Sequence, residues 1–195
     1  IDEARLSLYA DDDKFGIGFN YGESVEDGND GEILTLGTLG RDKASDLSLQ
    51  LRILPSGMRI NSADWDIHEA ELSIADGHIR IDGFGFSNGD QGISINGCID
   101  SNGGDSLRVD MERFGIDLLN PLLPDNMQLS GSATGSALLV SPIASPDLNL
   151  DIVCDSAAIG GVNLGLLTAR CHFDKTFKRF DAQINNLYEG QLRLD

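Results

Sequence analysis

The sequence predicts an all-β fold: an elongated antiparallel sheet folded into a groove, or an open sandwich, with one short helix near residues 114–123. Three observations predict it. Apolar and polar residues alternate with a period of two through many separate runs, which puts every apolar side chain of a strand on one face. Turn signals containing glycine punctuate those runs. The 195 residues are 41% hydrophobic yet only 6% aromatic and include 23 glycines, a composition suited to short strands and tight turns.

The elements follow in order. Phe15-Gly-Ile17-Gly-Phe19-Asn-Tyr21 is the first clear strand, and Leu47-Ser-Leu49-Gln-Leu51-Arg-Ile53 the next. Leu72-Ser-Ile74, Ile79-Arg-Ile81, Ile93-Ser-Ile95, Leu107-Arg-Val109-Asp-Met111 and Leu148-Asn-Leu150-Asp-Ile152 repeat the pattern. Between them lie Glu26-Asp-Gly-Asn-Asp-Gly31, Pro55-Ser-Gly57, Asp76-Gly77, Asn88-Gly89, Asn102-Gly-Gly104 and Gly160-Gly161. Asp-Gly and Asn-Gly are the strongest of these signals, because both central residues of a type I′ turn need positive φ. The spacing predicts about 12 to 15 strands, meandering from Asp76 onward.

One stretch departs from alternation. Phe114-Gly-Ile-Asp-Leu-Leu-Asn-Pro-Leu-Leu-Pro124 places Leu118, Leu119, Leu122 and Leu123 at helical spacings, and Pro121 and Pro124 hold it to a turn or two. This apolar plug is suited to capping the dry face of a sheet. It separates sub-halves 1–113 and 125–195 of one continuous domain. The chain opens at Ile1 without Met and stops within an alternating run, Leu192-Arg-Leu194-Asp195, so it is expected to be a fragment of a longer chain.

Composition narrows the function. A net charge of −18 argues against nucleic acid, which needs clustered Lys and Arg to displace its counterions. It equally disfavours steering by an anionic membrane surface. No run approaches the length of a membrane-spanning helix. Cys98, Cys154 and Cys171 are too few for a disulfide framework. The count allows one bridge, for which Cys154 and Cys171 are the first choice because their segments read as neighbouring strands.

Catalytic templates fail in turn. His68-Glu69 opens a zinc-protease motif, but Leu72 stands where the second His belongs, in a strand. His78 and His172 lie in other strands. Gly131-Ser-Ala-Thr-Gly135 does not centre its serine, and no helix follows to form a nucleophile elbow. Gly16-Ile-Gly18 and Gly83-Phe-Gly85 lack the third glycine of a dinucleotide loop. The oxygens of Asp100, Asn102 and Asp105, and of Glu26, Asp27, Asp30 and Glu32, lack the spacing of a calcium loop and suit turns. The chain reads as a non-enzyme without cofactor or metal.

A resemblance adds to this. Leu122-Leu123-Pro124, Leu129-Ser-Gly131-Ser-Ala-Thr-Gly135, Pro146-Asp-Leu148-Asn-Leu150 and Gly160-Gly161-Val-Asn-Leu164-Gly165-Leu-Leu167 run on into an alternating strand ending at Phe173-Asp174. In this order they resemble the C-terminal domain of the TamB family, the translocation and assembly module of Gram-negative envelopes, within the AsmA-like superfamily. Trp65-Asp-Ile67, Asp76-Gly-His-Ile-Arg-Ile81, Phe84-Gly-Phe86-Ser-Asn88-Gly-Asp-Gln91 and Ile93-Ser-Ile95-Asn-Gly97 resemble its Bacteroides-type members. The resemblance covers most of the chain from about residue 45. It implies a periplasmic segment of a protein anchored in the inner membrane, with a β-taco-like groove lined by apolar side chains. It further implies a role in outer-membrane biogenesis: lipid transport, and assembly of outer-membrane barrels or secretion with a β-barrel partner.

The residues reach the same groove independently. A Leu- and Ile-lined face with few polar anchors suits an unbranched acyl chain. Burying each methylene is worth about 0.8 kcal/mol, so a 16-carbon chain gains on the order of 12 kcal/mol before ordering costs. The expected lining is Leu47, Leu49, Leu51, Ile53, Leu72, Ile74, Ile79, Ile81, Ile93, Ile95, Leu148 and Leu150, with phospholipid acyl chains as ligand. Two alternatives stay open at this point. The same residues suit the core of a closed sandwich, and strand edges suit a scaffold that pairs with barrel strands. A carbohydrate-binding sandwich is disfavoured by one Trp and three Tyr.

Overall fold

A computed structural model describes residues 3–23, 29–41, 47–60, 62–100, 105–124, 127–143, 146–174, 179–186 and 190–194. The expected all-β class is what the chain adopts. Among the described residues fifteen strands form one sheet, and the pairings given below are antiparallel. The chain divides into two compact units, residues 1–89 with 94–101 and residues 90–93 with 102–195.

The first unit opens with β1 (Glu3–Asp11), β2 (Lys14–Gly22) and β3 (Asp30–Arg41). β1 and β2 form a hairpin from Glu3↔Gly22 to Asp11↔Lys14. Its reversal uses Asp12 at φ 52°, a left-handed conformation that Asp tolerates. β4 (Leu47–Ile53) and β5 (Ser56–Ile60) run one after the other along β3, and β6 (Ala63–Ile67) and β7 (Ala70–Ala75) return beside them. Pro55-Ser-Gly57, expected as a turn, therefore does not reverse the chain. It interrupts one long arm of a hairpin whose reversal lies beyond Ile60. β8 (His78–Asn88) follows across the Asp76-Gly77 turn, with φ of 53° and 77° as a type I′ turn requires. β9 (Gln91–Asp100) follows, its residues from 94 on belonging to this unit.

The registers hold one further feature. On β3, Gly31 faces Met58 and Thr35 faces Ile53, so four steps on β3 match five on β4 and β5. The extra residue falls at Leu54-Pro55. The next pairs, Ile53↔Ala70 with Ser56↔Ile67 and Leu72↔Ile81 with Ile67↔Phe86, stay in step. The neighbouring strands therefore carry the same extra residue, at His68-Glu69 and within residues 83–85, where Gly83 takes φ 74°. A shared bulge of this kind keeps the apolar residues on one face while bending the sheet.

The second unit contains β10 (Ser106–Gly115), a 3₁₀ helix (Ile116–Leu122), β11 (Leu129–Val140), β12 (Asp147–Ile159), β13 (Val162–Asp174), β14 (Arg179–Asn186) and β15 (Gly190–Leu194). They pair in chain order from β10 to β15. The helix expected near 114–123 is present. It is a 3₁₀ helix because Pro121 supplies no backbone donor and short apolar pieces tighten to that pitch. It lies inside the second unit, and its Asn120 is tied to β11: the Asn120 amide donates to the Leu129 carbonyl (2.9 Å) and accepts from the Leu129 N–H (2.7 Å). Gly160-Gly161 forms the β12–β13 turn with φ of 56° and 81°. The expected turn at Asn102-Gly-Gly104, and residues 26–28 of the expected acidic turn, lie outside the described residues.

Candidate functional site

Opposed residues of an antiparallel pair lie on the same face of a sheet, so the registers sort the side chains. In the first unit Leu8, Ile17, Thr35, Ile53 and Ala70 follow one another across five strands. A parallel row runs Leu39, Leu49, Ile74 and Ile79, and another Gly37, Leu51, Leu72 and Ile81. The face is apolar from β1 to β8. Its best-covered part is the bulge line, where Trp65, Ile67 and Ala70 are buried and Trp65 meets Phe86 edge to face at 5.5 Å.

Glycine contributes to this face by absence. A Cβ on Gly37 would lie 2.1 Å from the Phe15 ring, and one on Gly31 would lie 2.8 Å from Tyr21. Both pairs are directly opposed, Phe15↔Gly37 and Tyr21↔Gly31, so each aromatic ring lies flat across a glycine on β3.

The second unit builds an equivalent face. Leu107, Leu139, Leu148 and Phe173 form one row; Val109, Ala137, Leu150, Cys171 and Ala182 a second; Met111, Gly135, Ile152, Ala169 and Ile184 a third. The row Phe114, Ala133, Cys154 and Leu167 lies beside local bulges and holds the buried residues Phe114, Ala133 and Cys154. Burial, then the Asp155 carboxylate, pushes the Cys154 thiol pKa above its ordinary value.

Neither face is sealed. Most of these side chains are half-buried, and no large side chain among the described residues falls below 2% exposure. The opposite faces carry polar pairs such as Arg170–Asp151 at 3.2 Å and His172–Asn149 at 2.8 Å. A cavity of about 610 Å³ lies on the polar side of the first unit. Lys14, Thr38, Gln50, Arg52, Glu71 and Asp82 project there, and Leu51 and Leu72 only border it. The described side chains of the apolar faces are for the most part only half-buried.

Of the twelve residues expected to line a groove, the registers bring eight onto the first unit's face: Leu47, Leu49, Leu51, Ile53, Leu72, Ile74, Ile79 and Ile81. Of these eight, Leu47 and Ile74 are exposed, at 70% and 40%. Leu148 and Leu150 belong to the second unit's face. Ile93 and Ile95 are half-buried in β9. Alternation also marks Phe15, Ile17, Phe19, Leu107, Val109, Met111 and Ile152, which share these faces and were not among the twelve. The Cys154–Cys171 bridge does not form. β12 and β13 are neighbours as expected, but Cys171 stands opposite Leu150, four residues or about 13 Å along the strand from Cys154, and all three cysteines are free.

No family model, curated protein or solved structure matches the chain.

Proposed function

We propose that the chain is a periplasmic segment of a TamB-like envelope protein, anchored in the inner membrane of a Gram-negative cell, that shields or conducts lipid acyl chains and supports outer-membrane biogenesis. The observation that supports this reading is the in-phase apolar face of each unit, half-exposed across five or more strands. A face of that size left uncovered by the chain itself calls for a ligand or partner. Aliphatic residues dominate it, and polar anchors are scarce, which fits a ligand that needs no orienting hydrogen bond. In this reading the chain is not an enzyme. Head groups stay in water, and the acidic polar face keeps the sheet dispersed.

The test is native mass spectrometry with lipid extraction of the chain purified from a bacterial periplasm. Leu49 lies on the apolar face and Gln50 on the polar one. Co-purified phospholipid or fatty acid, lost in Leu49→Asp and kept in Gln50→Glu, is the expected result. A folded wild-type chain free of lipid that takes up no added acyl chain overturns the reading. Weight then passes to a scaffold that pairs strand edges with an outer-membrane β-barrel partner, whose binding tolerates Leu49→Asp.

A further inference from the structure

We propose that the cavity on the polar side of the first unit binds a neutral linear oligosaccharide laid across β2, β3, β4, β7 and β8. This inference stands apart from lipid binding, which belongs to the opposite face. The cavity volume of about 610 Å³ is within the range of ligand sites, about 300–1,000 Å³. Each of the five strands has a neighbour on both sides, so the floor of the cavity depends on no sheet edge.

The registers build the lining from directly opposed residues. Lys14, Thr38, Gln50, Ser73 and Arg80 form one row, a single residue from each strand. None of these five side chains has a hydrogen bond or ion pair with another described residue. The polar face of the second unit differs, because its side chains take one another up: Arg170 meets Asp151 at 3.2 Å and His172 meets Asn149 at 2.8 Å. In the neighbouring row of the first unit Arg52, Glu71 and Asp82 are opposed in turn. Arg52 does not take the carboxylate opposite it, since its Nε donates to Glu69 Oε1 at 2.6 Å. Glu71 and Asp82 are left as like charges facing each other, an arrangement that costs stability. The fold alone has no use for that pair, whereas a ligand that donates hydrogen bonds does.

The chemistry selects the ligand. With Arg52 and Glu69 paired, Lys14 and Arg80 balance Glu71 and Asp82, and the lining carries no net charge. The net charge of −18 on the chain repels anions, while Lys14 and Arg80 at the two ends of the row oppose cations. The lining offers groups that only donate, groups that only accept, and an amide and hydroxyls that do both, which matches sugar hydroxyls, each a donor and an acceptor. Strands lie about 4.8 Å apart, close to the length of one pyranose, so successive sugars meet successive strands. The row spans roughly 19 Å, or about four sugars. Rings for stacking on sugars are few, but one is placed here. Tyr9, 66% exposed, is the one aromatic among the exposed large apolar side chains of the described residues, and it borders the cavity.

Calorimetric titration with neutral cello-, malto- and N-acetylchito-oligosaccharides of increasing length tests this. At least one series is expected to bind with a Kd of about 0.1–1 mM, tightening up to about four units and then levelling. Added salt should leave that Kd unchanged, because the ligand carries no charge to screen. Gln50→Ala and Glu71→Gln should each weaken binding about tenfold. Glu71→Gln also removes a like-charge pair, so its urea midpoint should match or exceed that of the wild type, and loss of fold cannot imitate its weaker binding. Absence of binding by all three series at about 10 mM overturns the proposal. So does an affinity indifferent to both substitutions or to length, or tighter binding of oligogalacturonate, whose carboxylates make it anionic.

Discussion

Gly37 has no room for a side chain. A Cβ there would enter the Phe15 ring, so Gly37→Ala must push the ring off the sheet or strain the strand. Overpacking of this kind costs about 1–3 kcal/mol. Gly135→Ala is worse: its Cβ would lie 2.2 Å from the Asp151 carbonyl oxygen at φ 147°, and backbone cannot step aside as a ring can. We expect about 3 kcal/mol or more there. Gly57 is the control, exposed and with nothing nearer than 3.9 Å to an added Cβ, so Gly57→Ala should stay within about 0.5 kcal/mol of wild type. Urea denaturation of the three variants checks the order, and a neutral Gly37→Ala would mean the Phe15 ring does not lie across β3. None of this was legible in the sequence. An aromatic residue and the glycine beneath it are separated by a strand-to-strand register that no local pattern states.

At the scale of elements, what is local was readable and what is paired was not. Asp76-Gly77 and Gly160-Gly161 announce their turns because two adjacent positive-φ positions are written into two adjacent residues. Pro55-Ser-Gly57 has the same turn composition, yet the chain runs straight on, since its break is matched by breaks in the two neighbouring strands. The Cys154–Cys171 pairing failed for a similar reason: adjacency of strands could be guessed, while the register that sets Cys171 against Leu150 could not. The 3₁₀ helix was visible from its leucines and prolines, but not the side chain that secures it. Asn120 satisfies both the N–H and the carbonyl of Leu129 and thereby fixes where β11 begins. Asn120→Ala removes both bonds and should cost about 1–2 kcal/mol, with faster amide exchange at Leu129 than at Ala137 further along the strand. Unchanged stability and protection would mean that the strand start is held by packing alone.

Over the whole molecule, alternation predicted the class of fold and most of the apolar positions because a period of two survives any register. Its weakness is that it could not say whether the dry face is covered, and the described side chains of each unit's face answer that most are only half-buried. Such a chain stays dispersed at neutral pH through charge, with 32 acidic residues against 14 basic ones. Falling pH protonates those carboxylates and removes the repulsion as the pI near 4.2 is approached, while the apolar faces stay as they are. Light scattering is therefore expected to rise steeply between about pH 5 and 4. A non-ionic detergent with a 12-carbon tail, which covers apolar surface without adding charge, should shift that onset to lower pH. If detergent leaves the curve unchanged, association at low pH proceeds through strand edges or unfolded chain. If it suppresses the rise, the apolar faces are what meet, and they accept a linear alkyl chain in place of one another.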